Sequence, residues 1–314
     1  MKNKTLLIVL FSLINFFLIK LTYAQDQFNF DVSEIEILED GNKIIGSNRG
    51  RVLTGNGIII EADNFIYIKN ENFLNASGKV IIKDTVNNYN IYSENIEYEK
   101  NYEKIFSKGK TQGEINSRFI LNSFDVVFFR DKKTLSSNKN TSIMDNDEQT
   151  YLELEKFSFA VEDELLKGEG ILVNLEYNLP QNDKFFFESG IFDFKKRSFI
   201  AQNIKINLKK DVFGNLKNDP RLKGVSAKSE NNITTVKKGV FTSCDDDTDC
   251  PPWVITAGEI KHDKNKKQLI YDNALLKIYN VPVLYFPKFF HPDPTVKRQS
   301  GFLKPSLNNS NILG

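Results

Sequence analysis

A six-residue pattern recurs along this chain at an interval near thirty residues, and it constrains the fold more than any other feature. Ala62-Asp63-Asn64-Phe65-Ile66-Tyr67 aligns with Ser93-Glu94-Asn95-Ile96-Glu97-Tyr98 and with Ser123-Phe124-Asp125-Val126-Val127-Phe128. The common form is small, any, polar, apolar, any, aromatic. The copies start at 62, 93 and 123, so they are 31 and 30 residues apart. Gly78 and Gly109 each fall 16 residues after the start of their copy, and Ala257-Gly258-Glu259-Ile260-Lys261-His262 is a later, weaker copy. A period of this length, with two or three strands per unit, predicts stacked hairpins. One such unit cannot bury its apolar face alone, so neighbours must stack and share one long core.

The segments within each unit alternate with a period of two. In "NIEYEK", Ile96 and Tyr98 fall on one face and Glu97 and Glu99 on the other. In "IAQNIKINLKK", Ile204, Ile206 and Leu208 oppose Lys205, Asn207 and Lys209. This is the pattern of half-buried antiparallel strands. Polar turns punctuate it at Gly41, Asn70, Asn88, Pro180 and Gly214. Helical periodicity is almost absent. With 26 Phe and 11 Tyr against one Trp, the composition favours strands. The expected class is all-β: a sandwich, a jelly roll or a solenoid. The apolar positions Phe65, Tyr67, Ile96, Tyr98, Val126 and Phe128 either fill a core or line an apolar groove between two facing sheets.

The N-terminus carries Lys2 and Lys4, then the apolar run "TLLIVLFSLINFFLI" over residues 5–19, then "TYA" ending at Ala24. This reads as a cleaved signal peptide over residues 1–24. The run is shorter than the roughly 20 residues of a spanning helix. Export makes Cys244 and Cys250, separated by "DDDTD", disulfide candidates, to each other or to partners elsewhere. Their spacing is not that of a zinc finger, and the acidic run lacks the Gly turn and final Glu of an EF-hand. A net charge of +1 argues against a nucleic-acid partner.

The sequence holds no catalytic constellation. There is no nucleophile elbow, P-loop, H-E-x-x-H or dinucleotide-binding glycine pattern, and no cofactor motif. Of the two histidines, His262 takes the aromatic position of a repeat, as a strand residue would. His291, between Phe290 and Pro292, reads as part of a turn. Carboxylate pairs are plentiful but lie on strand faces, so a glycosidase is the remaining enzymatic alternative.

The last seventy residues carry a more specific signal. "FTSC" is followed by "CPPWVITA", then "NALLKIYNVPVLYFP", then "HPDPTVKRQSGFLKPS". In order and spacing these resemble the LptD (OstA) family of lipopolysaccharide-assembly proteins of Gram-negative outer membranes, in its alphaproteobacterial form. The earlier repeats resemble the OstA-like domain shared with the periplasmic bridge protein LptA. The resemblance is weak from Gln25 to about Val240 and strong thereafter.

That resemblance implies a β-jellyroll of stacked antiparallel hairpins over residues 25–290. Residues 291–314 would then be a hinge and the first strand of an outer-membrane β-barrel, with Pro305 at the barrel's lateral gate. It implies lipopolysaccharide as cargo, received from an LptA-like bridge and passed to the barrel, with an LptE-like lipoprotein as a further partner through the barrel. It places the chain at the periplasmic face of the outer membrane. It also implies that the barrel is missing and that the chain is truncated before it. Family disulfides tie the N-terminal domain to the barrel. The alternative is a soluble periplasmic lipopolysaccharide-binding bridge resembling LptA.

Overall fold

In the computed structural model, the described residues are 28–292, except 56, 176, 178–182, 209–218 and 245–251. The expected signal peptide, Cys250 and Pro305 lie outside them.

The described chain is all-β. Its first strands are β1 (Asn29–Leu38), β2 (Lys43–Leu53), β3 (Ile58–Ala62), β4 (Asn64–Ile68), β5 (Phe73–Asp84), β6 (Tyr89–Glu99), β7 (Lys104–Ile115) and β8 (Phe119–Phe129). Next come the shorter β9 (Thr134–Ser137), β10 (Thr141–Asp145), β11 (Thr150–Leu154) and β12 (Lys156–Ala160). Long strands then resume with β13 (Leu165–Leu175), β14 (Lys184–Asp193), β15 (Ser198–Asn207), β16 (Arg221–Glu230), β17 (Ile233–Thr242), β18 (Trp253–Asp263), β19 (Gln268–Ile278) and β20 (Val281–Pro292).

All pairings are antiparallel, and they join sequence neighbours except where a strand is broken in two. β3 and β4 together face both β2 and β5, so they are one strand broken at Asp63. β9 with β10, and β11 with β12, are broken in the same way. The twenty strands therefore form a meander of seventeen rungs, which is the jellyroll of stacked hairpins.

Nearly every rung is creased at its middle. The register shifts between Val32 and Glu34, Ser77 and Val80, Ser93 and Asn95, and Ser107 and Lys110. Left-handed backbone marks the line, at Asn48, Gly78, Gly109, Asp125, Gly170, Asn203, Lys238 and Asn273. An extra residue in one strand of a pair bends it and moves the following side chains to the other face. On β6, for example, Tyr89, Ile91 and Ser93 are buried before the crease and Ile96 and Tyr98 after it. The creases stack and divide the sheet into two facing leaves. Leaf A contains β3, β10 and β11 with the half-strands paired to them. Leaf B contains β4, β9 and β12 with theirs.

The thirty-residue repeat is the sequence record of this crease. Each copy places a small residue last on leaf A (Ala62, Ser93, Ser123), crosses the bend, and then sets an apolar and an aromatic residue inward on leaf B. One period is one hairpin, or two rungs. Hydroxyls line the bend on the inside: Ser107 bonds Thr111 at 2.6 Å, Ser123 bonds Thr141 at 2.7 Å, and the Ser137 hydroxyl donates to the Phe124 carbonyl at 2.6 Å. The Ser137 bond satisfies a carbonyl at the interruption of the ladder.

His262 lies on β18, as the repeat predicts. His291 does not lie in a turn. It is on β20, and its Nε2 is 2.9 Å from the Tyr271 hydroxyl. Pro292 suggested a turn because proline lacks a ladder donor. Among the described residues, however, β20 pairs only with β19, and an edge strand tolerates that loss. Pro282 and Pro287 sit in the same strand.

Candidate functional site: the apolar interior and its seam

The inward side chains form rows that cross the rungs in register. On leaf A, one row runs from Phe30 and Val52 through Ile60 and Ile82 to Ile91. It continues by Leu121, Ile143, Leu152, Val173 and Phe185. It then passes Ile206, Leu222, Phe241 and Ile255 to reach Leu276 and Leu284. Gly113, between Ile91 and Leu121, is its one position without an apolar side chain. At about 4.8 Å per rung the row is roughly 75 Å long. From Val52 to Ile255 its apolar members belong to a single cluster of buried residues, with Phe30 and Leu276 packed against it.

The six positions singled out in the sequence belong to leaf B. Tyr67, Tyr98 and Phe128 share one row, with Leu74 and Ile105 between them. Phe65, Ile96 and Val126 share the next, with Ala76 and Ser107 between them. All six are buried, none more than 4% exposed. The structure brings them together on one inner face.

The buried inward side chains fill the interior, and the two leaves interlock at the crease. A Cβ on Gly224 of leaf A would stand 2.3 Å from Val236 Cγ1 of leaf B, and one on Gly239 would stand 2.4 Å from Ile260 Cδ1. The small residue on one leaf makes room for the large residue on the other. At the C-terminal end the row is less covered, and Leu284 is 52% exposed.

Opposite the crease, the free ends of the two leaves meet along a seam. Aromatic rings pack across it: Tyr89 on Phe128 at 4.8 Å, Phe119 on Phe159 at 5.3 Å, and Phe28 on Tyr67 at 4.9 Å. Three arginines also cross it. Arg130, at the rim of leaf B, pairs with Asp84 at the rim of leaf A at 3.0 Å. Arg118, on rim A, pairs with Glu164 on rim B at 2.7 Å. Arg197, on rim B, pairs with Glu148 on rim A at 2.5 Å. Sequence reading missed this set, because Arg130 and Asp84 are 46 residues apart and only closure of the leaves joins them.

The centre of the seam is a buried polar network. Asp84 has no side-chain exposure and Arg130 has 8%. Asp84 accepts from the backbone N–H groups of Val86 and Asn87, from the Asn87 amide and from the Tyr89 hydroxyl. Glu103 accepts from Arg130 at 2.6 Å and from the Tyr98 hydroxyl at 2.8 Å. Burial pushes the Asp84 carboxyl up, but the bonds from Tyr89, Asn87 and Arg130 outweigh it and hold the group below the ordinary carboxylate value. Burial, reinforced by neighbouring carboxylates, raises the Tyr89 and Tyr98 phenols far above theirs.

Nothing in the described residues gathers three or more metal-ligating acidic, His or Cys side chains. Cys244 is half-buried, with its thiol 3.8 Å from the Trp253 carbonyl oxygen. None of the described helices is long and apolar enough to cross a membrane, which says nothing of strands that cross as a β-barrel.

Comparison with curated proteins matches this chain to a named set. It is similar to LPS-assembly protein LptD. The Polaromonas protein is 35% identical over 83 residues, which are 26% of this chain and 10% of that protein. The Shewanella frigidimarina protein is 37% identical over 90 residues, 27% of this chain and 11% of its own length. The Nitrosomonas eutropha protein is 29% identical over 121 residues, 35% of this chain and 16% of its own length. The matched part thus spans between a tenth and a sixth of these LptD proteins. No family model matches the chain.

Proposed function

We propose that this chain is a lipopolysaccharide-transport module of the Gram-negative envelope. The inner apolar row carries the reading, because it crosses all seventeen rungs from Phe30 to Leu284. Stacked hairpins share such a row for stability in any case, and a lipid carrier can use the same unbroken row, since acyl chains must find the same surface at every step. The similarity to LptD supplies the cargo: lipopolysaccharide, with its acyl chains inside and its sugar-phosphate headgroup in water. Its role is carriage, with no bond of the lipid made or broken.

The chain would act at the periplasmic face of the outer membrane. It would receive lipopolysaccharide from an LptA-like bridge and pass it to a β-barrel, which in turn engages an LptE-like lipoprotein. Residues 1–24 would be removed on export, and Cys244 and Cys250 would be oxidised. The N-terminal edge suits the receiving end. Among the described residues β1 pairs only with β2, and Ile35 and Ile37 are 55% and 60% exposed. An open edge strand can add a strand from a second jellyroll. Purified protein incubated with lipopolysaccharide-loaded LptA should acquire the lipid, and Ile35→Pro should lower the transfer. Absence of transfer to the unaltered protein would refute the reading, and normal transfer to Ile35→Pro would refute the choice of edge.

A further inference from the structure

The arginines across the seam do more than hold the leaves together, given their other partners. Arg118 keeps a two-toothed pair with Asp145 on its own rim, at 2.9 and 2.7 Å, besides its bond across to Glu164. Arg130 keeps Glu103 on its own rim besides Asp84 across the seam. The carboxylates are provided for in the same way. Asp84 retains Val86, Asn87 and Tyr89, all on rim A. Asp145 retains the backbone N–H groups of Asp147 and Glu148. Glu164 and Glu148 are partly exposed and need only water.

In an ordinary buried ion pair, separation strands a charge in a low dielectric and costs several kcal/mol. Here separation of the leaves removes one partner from Arg118 and Arg130 and strands neither. Arg118 also lies over the Phe119 ring of its own rim at 4.6 Å and the Phe194 ring of the other rim at 5.9 Å, so it keeps its nearer ring as well. The crease cannot part in this way, because backbone runs through it on every rung.

We infer that the Arg118–Glu164, Arg130–Asp84 and Arg197–Glu148 pairs form a reversible clasp, which shuts the interior at rest and parts to admit acyl chains sideways. This rests on the lipid-carrier reading above and gives that site its gate. The packed interior requires such a step: chains can enter only as the leaves move apart, and the link from chains to headgroup must pass through the seam.

The test uses the full chain and fluorescent lipopolysaccharide, read as the rate of uptake after mixing. Glu148→Gln with Glu164→Gln removes two cross-seam charges and leaves both own-rim pairs of Arg118 and Arg130. Arg118–Glu164 is largely buried and Arg197–Glu148 is more exposed, and losing both cross-seam bonds should quicken uptake on the order of fivefold. In a Cys244→Ser, Cys250→Ser background, Glu148→Cys with Arg197→Cys bridged by a bismaleimide should slow uptake at least tenfold, while the unbridged protein does not slow. Uptake by the unaltered protein at a rate that neither variant changes would overturn the clasp alone. Failure of every form, including the opened one, to take up the lipid would overturn the carrier reading and the clasp with it.

Discussion

Arg130→Met is the most informative single substitution for stability. The guanidinium is 8% exposed and carries two charge-assisted bonds, to Asp84 at 3.0 Å and to Glu103 at 2.6 Å. Methionine replaces the stem and removes both. Asp84 then remains charged and buried, but it still has four donors on its own rim. Glu103 is 28% exposed and keeps the Tyr98 hydroxyl. The loss should therefore fall at the lower end of the range for a broken buried pair, about 3 kcal/mol. Adding Asp84→Asn should recover part of it, because the stranded charge is gone. In a double-mutant cycle the coupling between the two positions should be about 2 kcal/mol. Urea unfolding followed by tryptophan fluorescence and by amide exchange on β5 to β8 measures both. A loss below 1 kcal/mol with no coupling would show that the pair is not buried in a closed seam.

Three further outcomes follow. The Asp84 carboxyl titrates lower in the folded chain than in the unfolded one, so it contributes stability above the ordinary carboxylate pKa, lost as pH falls through the depressed value. The stability difference between the unaltered protein and Asp84→Asn should thus shrink as pH falls below the ordinary carboxylate range, and a constant difference in acid unfolding curves would contradict it. Gly78→Ala and Gly109→Ala both place a side chain at left-handed φ, +80° and +81°, at a strain of about 1 kcal/mol each. The new methyl at 78 also stands 2.8 Å from the Asp63 Cβ, whereas that at 109 meets nothing, so thermal melting should rank Gly78→Ala lower. Ile82→Ala empties a fully buried place in the inner row and should cost about 2–5 kcal/mol by denaturant titration.

What the sequence disclosed depends on which interactions leave a periodic trace. The bend recurs at the same height on nearly every rung, and every second rung crosses it in the same direction, so Ala62, Ser93 and Ser123 sit at a fixed interval and both the hairpin stack and the inward rows were legible. Gly78 and Gly109 were visible for the same reason, as the residues that turn through the crease. The seam was not legible. Arg118, Arg130 and Arg197 lie in polar turns that look like any solvated loop, and their partners across the seam come from other turns or a strand end at irregular separations. His291 was misread because an edge strand relaxes the rule against proline. Nor does alternation distinguish a filled interior from an open groove. That follows from Gly224 facing Val236 and Gly239 facing Ile260, a match between leaves that no single strand encodes.

In the proposed function, lipid chains travel along the inner rows. Photo-crosslinking in cells that make lipopolysaccharide tests it most directly, with the reactive residue placed in turn at Tyr98 and Phe128, which face inward, and at Glu97 and Val127, their outward neighbours. Lipopolysaccharide adducts are expected at Tyr98 and Phe128 and not at Glu97 and Val127. Adducts at all four positions alike, or at none, would contradict it.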